Sequence, residues 1–231
     1  MKFPARPPVL PDLFRGLPVL TGQEIPAESA ALCPTGAIKA GAKPQIDLGR
    51  CIFCGRCAQF AGNAVSFSRE YRLAASTRAG MLHAGGEYPA ARALDREARR
   101  IFGHSLKLRQ VSAGGCAACE ADVNVLGTLA FDLGRFGIQF VASPRHADGI
   151  LVTGPVTKNM QSALLDTYAA IPEPKLAIAV GACAISGGIY SGSPETCGMP
   201  ESIPVDLYIP GCPPHPITIL DGLLRLLGRI R

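Results

Sequence analysis

"KLAIAVGACAISGG", residues 175–188, runs from an unbroken apolar stretch into a glycine and then, two residues later, a cysteine. An apolar run of this length without polar alternation, closed by glycine, predicts a strand buried on both faces, and such strands belong to parallel sheets with helices on either side. The pattern recurs in SLKLRQV (105–111), GIQFVAS (137–143), GILVTGP (149–155) and VDLYIPG (205–211). Helical periodicity fills the intervals in NMQSALLDTYAA (159–170) and PITILDGLLRLL (216–227). Alternation of this kind predicts an α/β parallel sheet over residues 105–231.

Functional groups in open α/β sheets gather beyond the carboxyl ends of the strands. Cys116 and Cys119 (GGCAACE) follow the first predicted strand, Cys183 follows KLAIAVG, and Cys212 (PGCPPHP) follows VDLYIPG. Three strand ends thus direct four thiols toward one point. Glycines at 114, 115, 181, 187, 188 and 211 would let backbone approach a bulky inorganic cube, and Pro213 and Pro214 stiffen the last turn. Inert buried cysteines or a zinc knot are the alternative, although zinc sites usually pair two CxxC knuckles and here one pair is close in sequence.

A second set lies in CPTGAIKAGAKPQIDLGRCIFCGRC, residues 33–57. In two-cluster bacterial ferredoxins a CxxCxxC run supplies three ligands to one cube, and the cysteine before proline in the other motif supplies the fourth. Cys51, Cys54 and Cys57 would then hold three irons, and Cys33, preceding Pro34, the fourth. Residues 1–32 lack cysteine and AQFAGNAV follows Cys57, so a second cube at this end has no ligands. The expected cofactors are two 4Fe-4S clusters, one per set, with zinc the alternative here too. Arg56 and Lys39 are read as solvated cations, with raising the cluster potential the alternative role.

The proline-rich residues 1–30 predict an extended lead-in that wraps another surface. Residues 31–70 form the single-cluster unit, and 71–104 a connector with a helix over about 89–102, Ala90, Leu94, Ala98 and Ile101 sharing one face. Apolar residues at 48% against 18% charged exclude a disordered chain, and a net charge of +5 spread along the sequence falls short of a nucleic-acid footprint. No run of 18 apolar residues and no h-region occur, so neither a spanning helix nor a signal peptide is expected, and a cytoplasmic setting is. In that reducing compartment an odd count of nine cysteines, mostly in short-spaced groups, favours metal thiolates over disulfides.

Through GGCAACE, RFGIQFVASPRHADGILVTGPVT, VGACAISGGIY and VDLYIPGCPPHP, residues 105–231 resemble the small subunit of membrane-associated nickel-iron hydrogenases of the formate hydrogenlyase type, which is similar to the 20 kDa cluster-bearing subunit of respiratory complex I. The resemblance implies a flavodoxin-like fold and a 4Fe-4S cluster on Cys116, Cys119, Cys183 and Cys212, facing a partner's active site. Its implied partners are a nickel-iron hydrogenase large subunit or a complex I 49 kDa-like subunit, membrane-arm subunits, and other iron-sulfur electron carriers. They would hold the chain peripherally on the cytoplasmic side of the cell membrane. Residues 31–70 resemble a ferredoxin-like (α+β) domain, in such complexes often a separate chain. The complex I subunit has adjacent cysteines where two alanines separate Cys116 from Cys119, which favours the hydrogenase branch.

The expected function is that of an electron-transfer subunit of an oxidoreductase complex, passing single electrons between a donor and the partner's active site. A complex I-like quinone-reducing or hydrogenase-related complex without hydrogen turnover is one alternative, and a zinc-stabilised interaction module another. Glu120 is the candidate catalytic residue, as a proton relay toward the partner; a carboxylate at a helix start is the simpler reading. His215 could tune the cluster by hydrogen bonding, His146 is assigned a local structural bond, and Cys197, outside any short-spaced motif, is a spectator.

Overall fold

GILVT and LAIAV carry no polar alternation because both faces of their strands are covered. In the computed structural model, which describes residues 2–230, Gly149–Thr153 and Leu176–Val180 are central strands buried at every position. In chain order the elements are β1 Pro18–Leu20, α1 Ala27–Ala31, β2 Ile38–Lys39, β3 Gln45–Asp47, α2 Arg56–Phe60, β4 Val65–Phe67, β5 Leu82–His83, α3 Arg96–Phe102, β6 Leu106–Ser112, α4 Ala118–Val125, β7 Ile138–Phe140, β8 Gly149–Thr153, α5 Lys158–Ala169, β9 Leu176–Val180, α6 Ala182–Ser186, β10 Leu207–Ile209 and α7 Pro216–Leu226.

The large sheet runs β10-β9-β8-β6-β7 with every pair parallel. Numbered within the sheet and read from the β7 edge, the order is 2-1-3-4-5, the flavodoxin-like order. All five predicted strands form, so the expected α/β flavodoxin-like core is present. The strand order reverses between β6 and β8, and the crevice beyond their carboxyl ends is where such sheets bind their ligands. That crevice opens at Gly114–Gly115 on one side and Gly154 on the other.

One face of the sheet packs on α4 and α7 through Leu106, Leu108, Ile178, Ile209, Leu220 and Leu223, the other on α5 through Ile150, Val152 and Leu164. Every residue of α7 is buried, including Asp221 and Arg225, whose side chains pair at 2.7 Å one turn apart. The N-terminal segments account for this complete burial. Phe3, 4% exposed, joins the same core, its ring edge-on to Tyr71, and the Leu94 amide donates to the Leu226 carbonyl at 2.8 Å. The lead-in therefore wraps this chain's own core.

Part of it is also strand, since β1 pairs antiparallel with β4. A second small sheet, β2-β3-β5, takes its last strand from residues 82–83, inside the segment expected to be a helical connector. The helix expected over 89–102 is shorter, starting at Arg96. Asp95 ends it by accepting the Ala98 amide at 2.8 Å, an N-cap bond that the periodicity did not reveal. Leu94 and Ala98 of the expected face do pack on the core, but Phe102, 2% exposed, takes the place of Ile101, 54% exposed. The cysteine-bearing segment shares a core with the sheet domain, in which Ile46, Leu48 and Met81 pack with Ala179, Ala184 and Ile185. Ala75 and Tyr208 exchange backbone hydrogen bonds at 3.0 and 2.8 Å, covering the β10 edge.

Candidate metal centres

The loops after β6 and β8 cross at close range. A Cβ on Gly154, whose φ is +83°, would stand 2.6 Å from the Gly115 amide nitrogen, so the crossing admits no side chain. Ala117, at φ +67°, then turns the chain into α4 and carries Cys116 and Cys119 to either side of the turn. Cys183 sits in α6 after β9, and Cys212 follows β10. These four thiols feel one another. Cys119 is pushed up to about 12 by burial first, then by Glu120 and by the charges of Cys183, Cys212 and Cys116. Cys183 is pushed up to about 11 by burial and by Cys212 and Cys116, and Cys212 is raised by burial and Cys116. The structure thus brings together the four residues that the sequence placed at three strand ends.

Gly181 makes room for this ring. Its φ is +89°, and a Cβ there would lie 2.6 Å from the Cys119 Sγ. Gly181→Ala is therefore expected to displace Cys119, cost about 1–3 kcal/mol in strain and overpacking, and strip the strand-end centre of metal while sparing the other. Metal content and thermal melting measured on one preparation check it; unchanged values for both would refute the crowding argument.

The N-terminal thiols are placed by turns. Cys33 ends α1, and its Sγ accepts the Ala37 amide at 3.3 Å. The Cys51 Sγ accepts the Phe53 amide at 3.4 Å, with Phe53 at φ +53° and Gly55 at φ +77° bending the CIFCGRC loop. Cys33, Cys51, Cys54 and Cys57 line one hollow, walled by Ile38, Ile46 and Arg56. Cys51 is pushed up to about 12, by burial above all and then by the charges of Cys57, Cys33 and Cys54, and Cys57 is raised by burial and by Cys54 and Cys33. Buried thiols so crowded stay protonated until a metal replaces the proton. Among the described residues no three His, Cys, Asp or Glu side chains close tightly enough to hold a single ion. Both donor sets are all thiol, and in the N-terminal set two amides point at sulfur. Four thiols fit an iron-sulfur cluster and also the zinc alternative.

Glu120 is not a free carboxylate at a helix start. Its Oε1 accepts from the Ser112 hydroxyl at 2.6 Å and the Thr153 hydroxyl at 2.7 Å, which ties it to β6 and β8. Burial pushes its carboxyl up, but the two hydroxyls outweigh it and hold it below the ordinary range. His215 caps α7, its Nδ1 accepting the Ile217 amide at 3.1 Å, and burial favours its neutral form. His146 is exposed, while its neighbour Asp148 accepts the Lys107 amide at 2.6 Å. The Cys197 Sγ donates to the Val156 carbonyl at 3.0 Å. Lys39 lies in β2, with Arg50 and Arg78 beside one surface hollow.

Asp47 was missed in the sequence. Its carboxylate accepts the Gly49 amide at 2.9 Å and both Arg78 nitrogens at 2.8 and 2.5 Å, and its carbonyl accepts the Cys51 amide at 2.9 Å. The turn that delivers Cys51 hangs on it, and the Asp-x-Gly spacing of an Asx turn was the available signal. Ser186 was missed as well: three residues after Cys183, its hydroxyl donates at 2.9 Å to the carbonyl of Gly49, two residues before Cys51.

Residues 116–226 match the family model described as the NADH ubiquinone oxidoreductase 20 kDa subunit. The chain is 47% identical over 116 residues to an NADH-quinone oxidoreductase subunit of Citrifermentans bemidjiense, covering 50% of this chain and 68% of that one. It belongs to that family. It is also 39% identical over 132 residues to a probable membrane-bound hydrogenase subunit, mbhJ, of Pyrococcus furiosus, covering 57% of this chain and 79% of that one. Among solved structures, a chain of the membrane-bound sulfane sulfur reductase, an archaeal respiratory membrane complex, superposes with a TM-score of 0.50 at 34% identity, covering 58% of this chain and 75% of its own. The 20 kDa family thus accounts for the strand-end cysteine set and the flavodoxin-like core. The family match begins at Cys116, after the N-terminal set. The chain is a subunit of the complex I-like and hydrogenase-related oxidoreductases, a family of iron-sulfur electron-transfer proteins. No helix among the described residues is long and apolar enough to cross a membrane.

Proposed function

We propose that the chain is a two-cluster relay in which Cys33, Cys51, Cys54 and Cys57 hold one 4Fe-4S cluster and Cys116, Cys119, Cys183 and Cys212 hold another. The clusters supply one-electron redox chemistry when bound. The observation that carries this reading is the Ser186 hydroxyl at the end of α6, within 2.9 Å of the Gly49 carbonyl and 3.0 Å of the Ala182 carbonyl, which brings the two thiol sets together, within three residues of Cys183 and two of Cys51. With both clusters bound, single electrons would pass between an external donor and the active site of a partner subunit by way of the two rings. The protein's own residues set the geometry: glycines leave room for the cofactor, amides at Phe53 and Ala37 favour thiolate sulfur, and Asp47 and Ser186 fix the loops. Glu120, held ionised by Ser112 and Thr153, sets a fixed negative charge beside the strand-end ring, and the lowered basicity weighs against the proton-relay role.

The Cys-Ala-Ala-Cys spacing at 116–119 favours a membrane-associated nickel-iron hydrogenase, with a large subunit carrying the hydrogen chemistry and membrane-arm subunits holding the chain at the cytoplasmic face. The 47% identity to an NADH-quinone oxidoreductase subunit favours the second reading, a complex I-like quinone-reducing assembly. Two CxxC nickel motifs in the partner's sequence, or their lack, decide between them. Anaerobic analysis of the purified chain is expected to give about eight irons and eight sulfides. A value near four removes one centre, and stoichiometric zinc overturns the relay.

A further inference from the structure

Residues 10–16 of the lead-in lie against both thiol loops. The Phe14 ring meets His215, three residues past Cys212, edge-on at 5.5 Å and 84°. The Arg15 side chain lies on Gly55, between Cys54 and Arg56: a Cβ on Gly55 would come within 2.7 Å of Nε and 3.1 Å of Cζ. The segment is anchored independently of these contacts. The Gly16 amide donates to the Ser68 carbonyl at 2.8 Å, the Leu17 amide to the Glu70 carbonyl at 3.0 Å, and Arg69 Nη2 to the Leu10 carbonyl at 2.6 Å. Gly16 rests directly on the backbone of Glu70, where any side chain would collide with the carbonyl. Leu13 stays 86% exposed, so burial of that side chain does not hold the segment down.

Next to it is a cavity of about 250 Å³, lined by Ile52 and Phe53 from the first loop and by Gly211 and Cys212 from the second. Neither of these stretches belongs to a helix or strand. The Ser186–Gly49 bond and the core shared with Ala184 and Ile185 hold the first loop from one side. Phe14 and Arg15 reach both loops from the opposite wall of the cavity.

We infer that Phe14 and Arg15 are positioning residues that clamp the two thiol loops across this cavity, and that Arg15 also sets a positive charge over the N-terminal ring. The charge role rests on the relay reading; the clamp does not.

The test uses the full chain as purified. In hydrogen–deuterium exchange followed by mass spectrometry, the Phe14→Ala, Arg15→Ala double variant is expected to exchange about tenfold faster at 50–57 and at 217–219, whose amides donate to His215, with α5 unchanged. Phe14→Ala alone should loosen chiefly 217–219 and Arg15→Ala chiefly 50–57, while Phe14→Leu should hold near the unmodified rate. Unchanged rates in the double variant overturn the clamp, as does a uniform rise that includes α5, because that marks general destabilisation. For the charge, Arg15→Gln should lower the reduced-to-oxidised ratio of the N-terminal centre about threefold at a fixed poise, Arg15→Lys should restore it, and the strand-end centre should not move. Equal shifts at both centres, or none, overturn the charge role. Iron and zinc are measured on the same samples, so a zinc protein sinks the relay reading while the exchange data still judge the clamp.

Discussion

Cys33→Ala is expected to abolish one of the two paramagnetic signals of the reduced protein and leave the other intact. Cys33 reaches its ring from the end of α1, whereas Cys51, Cys54 and Cys57 come from one loop, so the alanine removes a single corner and leaves three thiols in place. A cube with one unligated iron decays toward a three-iron form, and the signal of that centre changes its character altogether. No thiol is shared with the strand-end ring, whose cysteines follow β6, β9 and β10, whereas Cys33, Cys51, Cys54 and Cys57 line a hollow of their own. The matching control is Cys197→Ala, which should alter neither signal, since that thiol bonds only to the Val156 carbonyl. Loss of both signals in Cys33→Ala, or an unchanged spectrum, means that the fourth ligand has been assigned wrongly.

The sheet domain was legible because its signals are local and redundant. Five apolar runs are each closed by a turn, and cysteines follow three of them, so strand ends and thiols are read from the same few residues. The N-terminal part was less legible because what shapes it is distant. Phe3 reads as one aromatic in a proline-rich leader, yet it is buried against Tyr71 and bonded through its carbonyl to Arg135, 132 residues away. Nothing local in REARRIF says that Phe102 and not Ile101 meets the core; the cap at Asp95 and the tie from Leu94 to Leu226 set that rotation. Asp47 and Ser186 are the same case in the site. Each is an ordinary polar residue in sequence, and each acquires its role from a partner, Arg78 or Gly49, that the fold brings to it.

Disabling the N-terminal ring without cutting the chain is expected to separate exchange from turnover in the assembled complex. Removal of residues 1–85 would be the direct route, but that stretch supplies Phe3 and Ala74 to the main core, Ile46, Leu48 and Met81 to the core shared with Ala179 and Ile185, and the Ala75 backbone partner of Tyr208. A truncated chain would expose the α7 and β10 surfaces and report on folding. The Cys51→Ser, Cys57→Ser double variant leaves those contacts in place and removes two ligands. If the partner carries hydrogen chemistry, isotope exchange between hydrogen and deuterated water needs a proton route and the partner's site but no net electron supply. It should survive at nearly the unmodified rate. Turnover with an external electron donor should fall steeply, because each electron would have to reach Cys116, Cys119, Cys183 and Cys212 without the intermediate centre. Parallel loss of both activities in a complex shown to be assembled would make the N-terminal unit a docking element. Retention of both would place electron entry at the strand-end ring itself and leave the Ser186–Gly49 junction with a structural role alone.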